Sequence, residues 1–390
     1  MPSSQTEKRV QGIDVLRGLC IVAVVLHHIN LRIRFQNCSL GTMLSPAVHR
    51  VLFWNGYYGV IVFFVISGFL ITTWSLKRWG ALQQVNRRQF YVMRFVRIMP
   101  CLLALLATLS ILHLAHAPQF VINPQRSSLP RALLAALTFH VNWLESRVGY
   151  LPASWDVLWS LSIEEMFYLF FPLVCIWTRK QWVLISVLAS FVVIGPFART
   201  VFTHNQYWSE NGYLSCMDGI ALGCLAAILA RKIQLNRRAS IVLGIAGTAL
   251  CIFITVFRAT AGLLGIYKVG LEVTLLGLGT AMLVIAVQQR FEARPSNGHW
   301  STAVLRWYGR NSYEIYLTHM FVIWPLVGIF YHSHQPMNSA PLWFLAMTAL
   351  SGVLGYVVAR FYSEPLNRMV RTRFLPDASR AKAALVTGST

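Results

Sequence analysis

The segment GIDVLRGLCIVAVVLHHI, residues 12–29, decides the fold, because it is apolar enough to cross a membrane yet carries Asp14, Arg17 and His28. At about 100° per residue, the eleven steps from Arg17 to His28 return to nearly the same helix face, roughly 16 Å further along the axis. Ionisable groups are costly within a bilayer, so their presence there indicates function. The alternative is an interfacial Asp14–Arg17 ion pair beside an inert histidine.

The overall composition is that of a polytopic membrane protein. Of the 390 residues, 56% are hydrophobic and 12% are charged, whereas soluble domains carry about 25% charged residues. The net charge of +21 does not indicate a nucleic-acid partner, because the basic residues fall in short clusters between apolar segments. That pattern is typical of the positive-inside rule. We therefore predict an all-α transmembrane helical bundle whose surroundings are a lipid bilayer.

Ten segments have the roughly 20 residues needed to cross the hydrocarbon core. With the N-terminus placed in the cytoplasm, 23 Lys and Arg residues fall on the inside and eight on the outside. This asymmetry predicts that both termini are cytoplasmic. The predicted spans are 12–31, 56–76, 98–117, 157–178, 182–202, 212–230, 240–257, 268–288, 311–331 and 342–362.

Two regions lie outside these spans. The external segment 118–156 is rich in Pro, Ser, Asn and Trp, which indicates a lid or binding surface. Within it, the apolar piece 131–144 is too short to cross and is interpreted as interfacial or re-entrant. We interpret residues 1–370 as one membrane domain and residues 371–390 as a short basic cytoplasmic tail.

A second cluster of charge is RRQFYVMRFVRIMP, residues 87–100. Arg94 and Arg97 are three residues apart and therefore neighbours on a helix face. Two forked guanidinium groups at this spacing suit a phosphate or diphosphate. The alternative is positive-inside anchoring, which explains Arg87 and Arg88 better, because Arg94 and Arg97 lie where the apolar run has begun.

Further polar residues lie within the other spans. In WSLSIEEMFYLFFPL, Glu164 and Tyr168 share a helix face one turn apart, and Glu164 either belongs to a site or pairs with an arginine of another span. Asp218 and Glu364 are interpreted as partners of arginines, and His319 taken alone as a core histidine. The spacing of His, Cys, Asp and Glu predicts no metal site.

Taken in order, these segments resemble the acyltransferase-3 family of integral membrane O-acyltransferases over about residues 12–368. GIDVLRGLCIVAVVLHH is similar to the family's opening Arg-x10-His motif, and FYVMRFVRIMP to its Arg-x-x-Arg-Ile-x-Pro pattern. GVIVFFVISGFLI, WSLSIEEMFYLFFPL, MDGIALG, SYEIYLTH and YSEPLNR resemble further family blocks. Glu314 departs from the pattern, since relatives more often have a small or apolar residue there. The frequently fused esterase-like domain has no counterpart, so we expect a stand-alone membrane form.

The resemblance implies transfer of an acyl group, usually acetyl, from cytoplasmic acyl-CoA to a hydroxyl of a sugar or glycoside. It implies a multi-pass enzyme of the bacterial inner membrane in which the residue matching His28 is catalytic and the arginines serve the donor. Acyl-CoA, most often acetyl-CoA, is then a co-substrate, and no resident cofactor is expected.

The spacing on the first span fits this chemistry, since a pantetheine arm is comparable to the roughly 16 Å rise from Arg17 to His28. We predict that Arg17, Arg94 and Arg97 hold the CoA phosphates. His28 would be the general base, with an acyl-histidine intermediate as the alternative. Asp14 would orient Arg17 or offset its charge.

Other residues are predicted to serve the acceptor. Glu164 would orient His28 or bind the acceptor, and Tyr168, Trp159 and His319 would contact it. The competing function is that of a transporter or flippase for an acylated glycan or lipid-linked sugar. Such a protein also needs buried charges on many spans, but it needs no base within reach of acyl-CoA.

Overall fold

The computed structural model describes residues 9–201, 205–293 and 298–374, and its regular structure in this part of the chain is helical. The α-helices are α1 (Gln11–Asn30), α2 (Ser39–Met43), α3 (Pro46–Phe53), α4 (Gly56–Trp79), α5 (Arg87–Leu114), α6 (Leu129–Leu137), α7 (Val141–Val148), α8 (Leu158–Trp177), α9 (Gln181–Val201), α10 (Gln206–Asn211), α11 (Tyr213–Lys232), α12 (Arg237–Val256), α13 (Arg258–Leu263), α14 (Glu272–Ala293), α15 (Ala303–Arg310), α16 (Ser312–Thr318), α17 (Met320–His332), α18 (Ala340–Val358) and α19 (Glu364–Phe374).

The prediction of an all-α bundle with about ten crossings is confirmed. Nine of the described helices are long and apolar enough to cross a membrane, and α16 with α17 makes a tenth crossing if the bent pair counts as one. These two helices meet at an angle of 46°, with His319 at the break. A break at membrane depth is tolerated where it is enclosed by protein or lines a cavity. Of the predicted tail 371–390, residues 375–390 lie outside the described residues.

The third crossing begins earlier than the apolar run predicts. We expect a start at residue 98, but α5 begins at Arg87, because the Asn86 side chain accepts a hydrogen bond from the Gln89 backbone N–H at 3.1 Å and caps the helix. Arg94 and Arg97 therefore lie about two and three turns inside the helix rather than at its entrance. Both are held by a regular backbone.

Close helix crossings bring the first span against α15. A Cβ atom at Gly309 would lie 1.8 Å from the carbonyl oxygen of Asp14, and one at Gly18 would lie 2.0 Å from that of Leu305. The two backbones can approach this closely only because glycine has no side chain, and small residues of this kind are typical of membrane helix pairs. This packing fixes the start of α1, which carries Asp14 and Arg17, against the chain leading into α16.

The external segment is folded onto the bundle. The apolar piece 131–144 forms most of α6 and the start of α7, with Ala132, Ala135 and Val141 fully buried. The Val141 N–H donates to Ser162 Oγ at 3.2 Å, and the Tyr213 hydroxyl donates to the carbonyl oxygen of Phe139 at 2.6 Å. These bonds tie α6 and α7 to the spanning helices α8 and α11.

One carboxyl group secures this segment. Glu145 of α7 is 1% exposed, accepts a hydrogen bond from the Leu151 N–H at 2.9 Å, and accepts another from the Tyr207 hydroxyl. Burial raises the pKa of Glu145 well above its usual range, and the neighbouring Asp156 carboxylate adds to the effect. The folded protein therefore holds the proton of Glu145 more tightly than the unfolded chain does.

The acids predicted to pair with arginines do so. Asp218 is fully buried and its Oδ2 lies 2.8 Å from Arg199 Nη2. Glu364 lies 3.6 Å from Arg360 and 3.8 Å from Arg368, one helical turn away on either side. Both predictions are confirmed, and the Arg199–Asp218 pair joins α9 to α11 inside the bundle.

Candidate active site

A cavity opens among α1, α4, α5, α8 and α16. It contains about 880 Å³ of empty space, its open mouth included. Its walls are largely apolar, which is typical of a site for an extended organic ligand. The polar residues that line it are Arg17, Ser67, Arg94, Arg97, Ser160, Glu164, Tyr168, Ser312, Tyr313 and Tyr316.

Arg17, Arg94 and Arg97 meet at one end of this cavity and are called here the arginine cluster. Arg17 Nη2 donates to Ser312 Oγ at 2.8 Å, and the guanidinium of Arg94 lies 4.6 Å from the centre of the Tyr168 ring. Within the described part of the chain, no carboxylate lies within 4.0 Å of any of the three guanidinium groups. Among the described residues, the cluster therefore presents positive charge that no close ion pair neutralises.

A second hollow, called here the vestibule, continues from the cavity. The two hollows share the whole arginine cluster, and the vestibule adds Arg9, Asp14 and Lys77 to the lining. The cluster thus stands at the junction of the two hollows, of which the vestibule is lined by more basic residues. This order of surfaces fits a ligand with phosphate groups at one end and a less polar arm at the other.

His28 is hydrogen-bonded to His319, the residue at the break between α16 and α17. His28 Nδ1 and His319 Nε2 are 3.0 Å apart. His319 Nδ1 lies 2.8 Å from the carbonyl oxygen of Tyr316 and 3.1 Å from that of Ile315. The break in the crossing is what brings this ring against α1.

These contacts assign the protons of the histidine pair. Carbonyl oxygens can only accept, so His319 Nδ1 carries the proton and, in the neutral ring, His319 Nε2 accepts. His28 Nδ1 must then donate, which leaves the Nε2 lone pair of His28 free. His28 is held in the tautomer that a general base requires.

Tyr316 lies between the cavity and the histidine pair. Its side chain lines the cavity, and its ring centre is 6.1 Å from that of His319. Its hydroxyl lies 2.7 Å from Ser160 Oγ and donates to the carbonyl oxygen of Val157 at 3.0 Å. The cavity therefore stops short of His28, which is not one of its lining residues.

The other residues predicted for the site are distributed over several places. Glu164 and Tyr168 line the cavity near the arginine cluster, and the Tyr168 hydroxyl is hydrogen-bonded to Ser67. Asp14 is buried and lines the vestibule without a close ion pair to Arg17. Trp159 is buried against Phe64, with ring centres 6.2 Å apart, and does not line the cavity.

Glu164 and His319 both lie where the sequence did not predict them. The carboxyl group that we expected beside His28 lies instead among the arginines, and the histidine interpreted as a core residue or an acceptor contact is the hydrogen-bond partner of His28. In the described part of the chain, no group of three His, Cys, Asp or Glu side chains is arranged to hold a metal ion.

Sequence reasoning missed Ser312, Ser160 and Arg32. Single serines in apolar helices usually bond their own helix carbonyls, so they carry no signal of a site. Arg32 carried a signal in the sequence, because it follows His28 by four residues, which is about one helical turn. Its Nη1 donates to the His28 carbonyl oxygen at 2.7 Å.

Comparison with known proteins places this arrangement in a family. A family model described as "Acyltransferase domain" (Acyl_transf_3) matches residues 10–360. The chain belongs to this family. The match confirms the resemblance to acyltransferase-3 proteins, and it contains the arginine cluster and both histidines.

Two curated acyltransferases are similar to the chain. It is 26% identical over 340 residues to the peptidoglycan O-acetyltransferase OatA of Listeria monocytogenes, which covers 82% of this chain and 50% of the relative. It is 23% identical over 379 residues to the O-acetyltransferase OatA of Staphylococcus aureus, which covers 92% of this chain and 57% of the relative. The chain therefore spans about half the length of these relatives. No solved structure matches it significantly.

Proposed function

We propose that this protein is an O-acyltransferase of the bacterial cytoplasmic membrane that moves an acetyl group from cytoplasmic acetyl-CoA to a hydroxyl of a sugar polymer. The observation that carries the proposal is that α1 carries both His28, with a free Nε2 lone pair, and Arg17, which meets Arg94 and Arg97 of α5 in the arginine cluster. The relatives named as O-acetyltransferases support the acyl group, and the one named for peptidoglycan supports a glycan acceptor.

The donor enters from the vestibule. Its phosphates would bind the arginine cluster, because forked guanidinium groups form short, charge-assisted bonds to phosphate oxygens. The pantetheine arm would then lie in the apolar cavity and direct the thioester toward Tyr316 and His28. Positively charged helix ends at the vestibule, Arg9 and Lys77 among them, support its placement on the cytoplasmic side.

Transfer then needs one proton acceptor. His28 Nε2 takes the proton of the acceptor hydroxyl as its oxygen attacks the thioester carbonyl, forming the ester C–O bond and breaking the C–S bond. The departing CoA thiolate receives the proton from His28, so the histidine is regenerated. Throughout, the hydrogen bond from His28 Nδ1 to His319 Nε2 keeps the ring oriented.

Labelled acetyl-CoA tests this proposal in membranes that contain the full chain and the host's surface glycans. His28→Gln is expected to lower transfer of label to glycan by about 10²- to 10⁴-fold, the usual contribution of a general base. His27→Gln is the matched control, because His27 neighbours His28 but contacts the carbonyl oxygen of Phe53 at 3.1 Å. Transfer by His28→Gln at the rate of the control would contradict the proposal. A transporter would leave acetyl-CoA unconsumed in the wild type.

A further inference from the structure

Arg32 lies just beyond the end of α1, on the far side of His28 from the arginine cluster. Besides its bond to the His28 carbonyl, its guanidinium carbon lies 4.1 Å from the centre of the Trp324 ring of α17. Its own carbonyl oxygen accepts a hydrogen bond from the Tyr331 hydroxyl at 2.8 Å. Contacts with two crossings therefore fix the position of Arg32.

Asp156 is the acidic neighbour of Arg32. It follows the short helical turn Ala153–Trp155, which packs against α17. Among charged groups, Arg32 has the strongest electrostatic effect on Asp156, and Asp156 has the strongest one on Arg32. Yet the two side chains form no ion pair within 4.0 Å in the structure described.

Each member of this trio has a buried polar atom without a partner. Arg32 Nε, Trp324 Nε1 and Asp156 Oδ1 are inaccessible to solvent, and no hydrogen-bond partner for them exists among the described residues. Leaving a buried donor or acceptor without a hydrogen-bond partner destabilises the folded protein. Folded proteins rarely keep several side by side without a ligand or bound water.

The chemistry of these three side chains restricts the kind of ligand that they can bind. It offers two donors, one acceptor and the face of an indole ring. The Asp156 carboxylate disfavours an anion, and the Arg32 guanidinium disfavours a cation. Hydroxyl groups donate and accept at once, so a neutral polyhydroxyl compound satisfies all three atoms while its C–H faces lie on aromatic carbon.

From this we infer that Arg32, Asp156 and Trp324 form the subsite that binds the sugar of the acceptor, one helical turn beyond His28. The inference rests on the proposed function and deepens it by naming where the acceptor is held. Fifteen residues separate Arg17 from Arg32, or about 22 Å along a helix. Donor and acceptor thus approach His28 from opposite ends of α1.

The experiment combines two measurements on the same variants of the full chain. Acetyl-CoA affinity is measured on purified protein in lipid nanodiscs, and acetylation of the host's surface glycans is measured by mass spectrometry of cells. The site variants are Asp156→Asn, Trp324→Phe and Arg32→Lys, the last of which keeps the charge and loses the Nε donor. Arg34→Lys is the matched control, since Arg34 stacks on Trp54 at 5.0 Å close by.

Each site variant is expected to lower glycan acetylation by about tenfold or more, the equivalent of one lost hydrogen bond in the subsite. Acetyl-CoA affinity should stay within about twofold of wild type, and Arg34→Lys should change neither quantity by more than that. Glycan acetylation at control level in all three variants would overturn the inference. So would a parallel loss of acetyl-CoA affinity, which indicates that bound water and structure alone explain the trio. A wild type that neither binds acetyl-CoA nor acetylates glycan would overturn the proposed function itself.

Discussion

Two groups of arginines lie within this bundle, and they differ in how they are partnered. Arg199 is 7% exposed and uses nearly every donor it has. It contacts Asp218 at 2.8 Å, Thr274 at 2.6 Å and the carbonyl oxygen of Gly270 at 2.8 Å, and it also donates to the carbonyl oxygen of Ser215. Arg199 therefore has almost no free donor with which to bind a ligand.

The arginine cluster is the opposite case. Arg17 has one hydrogen bond, to Ser312, and Arg94 has the face of Tyr168, while Arg97 is exposed at the mouth of the cavity. Buried charges are normally paired because an unpaired one is costly. An anion that the protein binds best explains why three guanidinium groups lie together with no close ion pair among the described residues, although Glu164 lines the same cavity. Partnering, rather than burial, distinguishes a structural charge from a functional one here.

The largest change in the free energy of unfolding is expected at Arg199, whose donors are nearly all hydrogen-bonded. Arg199→Met leaves Asp218 buried and unpaired, which should lower the free energy of unfolding by about 3–5 kcal/mol. Arg17→Met removes an unpaired charge and should change it by less than about 1 kcal/mol. Thermal unfolding of both variants in nanodiscs checks this, and Arg199→Met with Asp218→Leu should regain most of the loss. Equal destabilisation by Arg17→Met would break the comparison.

The hydrogen bond between His28 and His319 allows a second test of how partnering and function are related. His319→Leu removes the acceptor of His28 Nδ1 and should lower kcat by about 10- to 100-fold, the equivalent of 1–3 kcal/mol for an unmade buried bond. His319→Gln offers an amide oxygen in its place and should recover part of the rate. Acetyl-CoA affinity should be unaffected in both. If Leu and Gln lower kcat equally, His319 does not act through that hydrogen bond.

The smallest effect concerns a fully partnered acid, Glu145. Its pKa is raised above the ordinary value of 4.5, so the folded state holds its proton more tightly than the unfolded state. The stability it contributes is complete below pH 4.5 and is lost as pH rises toward the folded pKa. Glu145→Gln cannot ionise, so its melting temperature should gain on wild type as the pH rises above 4.5. Parallel melting profiles would show that Glu145 does not titrate in this range.

Helix geometry explains how much of this could be predicted. The crossings follow from local length and hydropathy, and the shared face of Arg17 and His28 follows from residues eleven apart on one helix. The bond from Arg17 to Ser312 and the one from His28 to His319 join residues 295 and 291 positions apart. One sequence contains no signal for contacts between distant helices, so spacing alone predicts that Glu164 either orients His28 or binds the acceptor.

The packing of segment 118–156 could not be predicted for a related reason. Its composition indicates a lid or binding surface, and the structure adds that the buried alanines of α6 and the hydrogen bond from the Leu151 N–H to Glu145 make it part of the packed bundle. In the sequence, Asp156 and Arg32 are single charges 124 positions apart, with no visible relation to each other. They share surroundings because the crossing bends between α16 and α17 and the turn before α8 packs against α17.

The central claim is that the arginine cluster holds the phosphates of the donor, and acetyl-CoA affinity tests it most directly. The double variant Arg94→Gln/Arg97→Gln is compared with Arg87→Gln/Arg88→Gln, which removes the same charge from exposed positions of the same helix. The first should weaken binding by about 100-fold or more, given 1.5–3 kcal/mol for each bond to a charged group, and the second by no more than about twofold. Equal affinities for the two double variants would contradict the account.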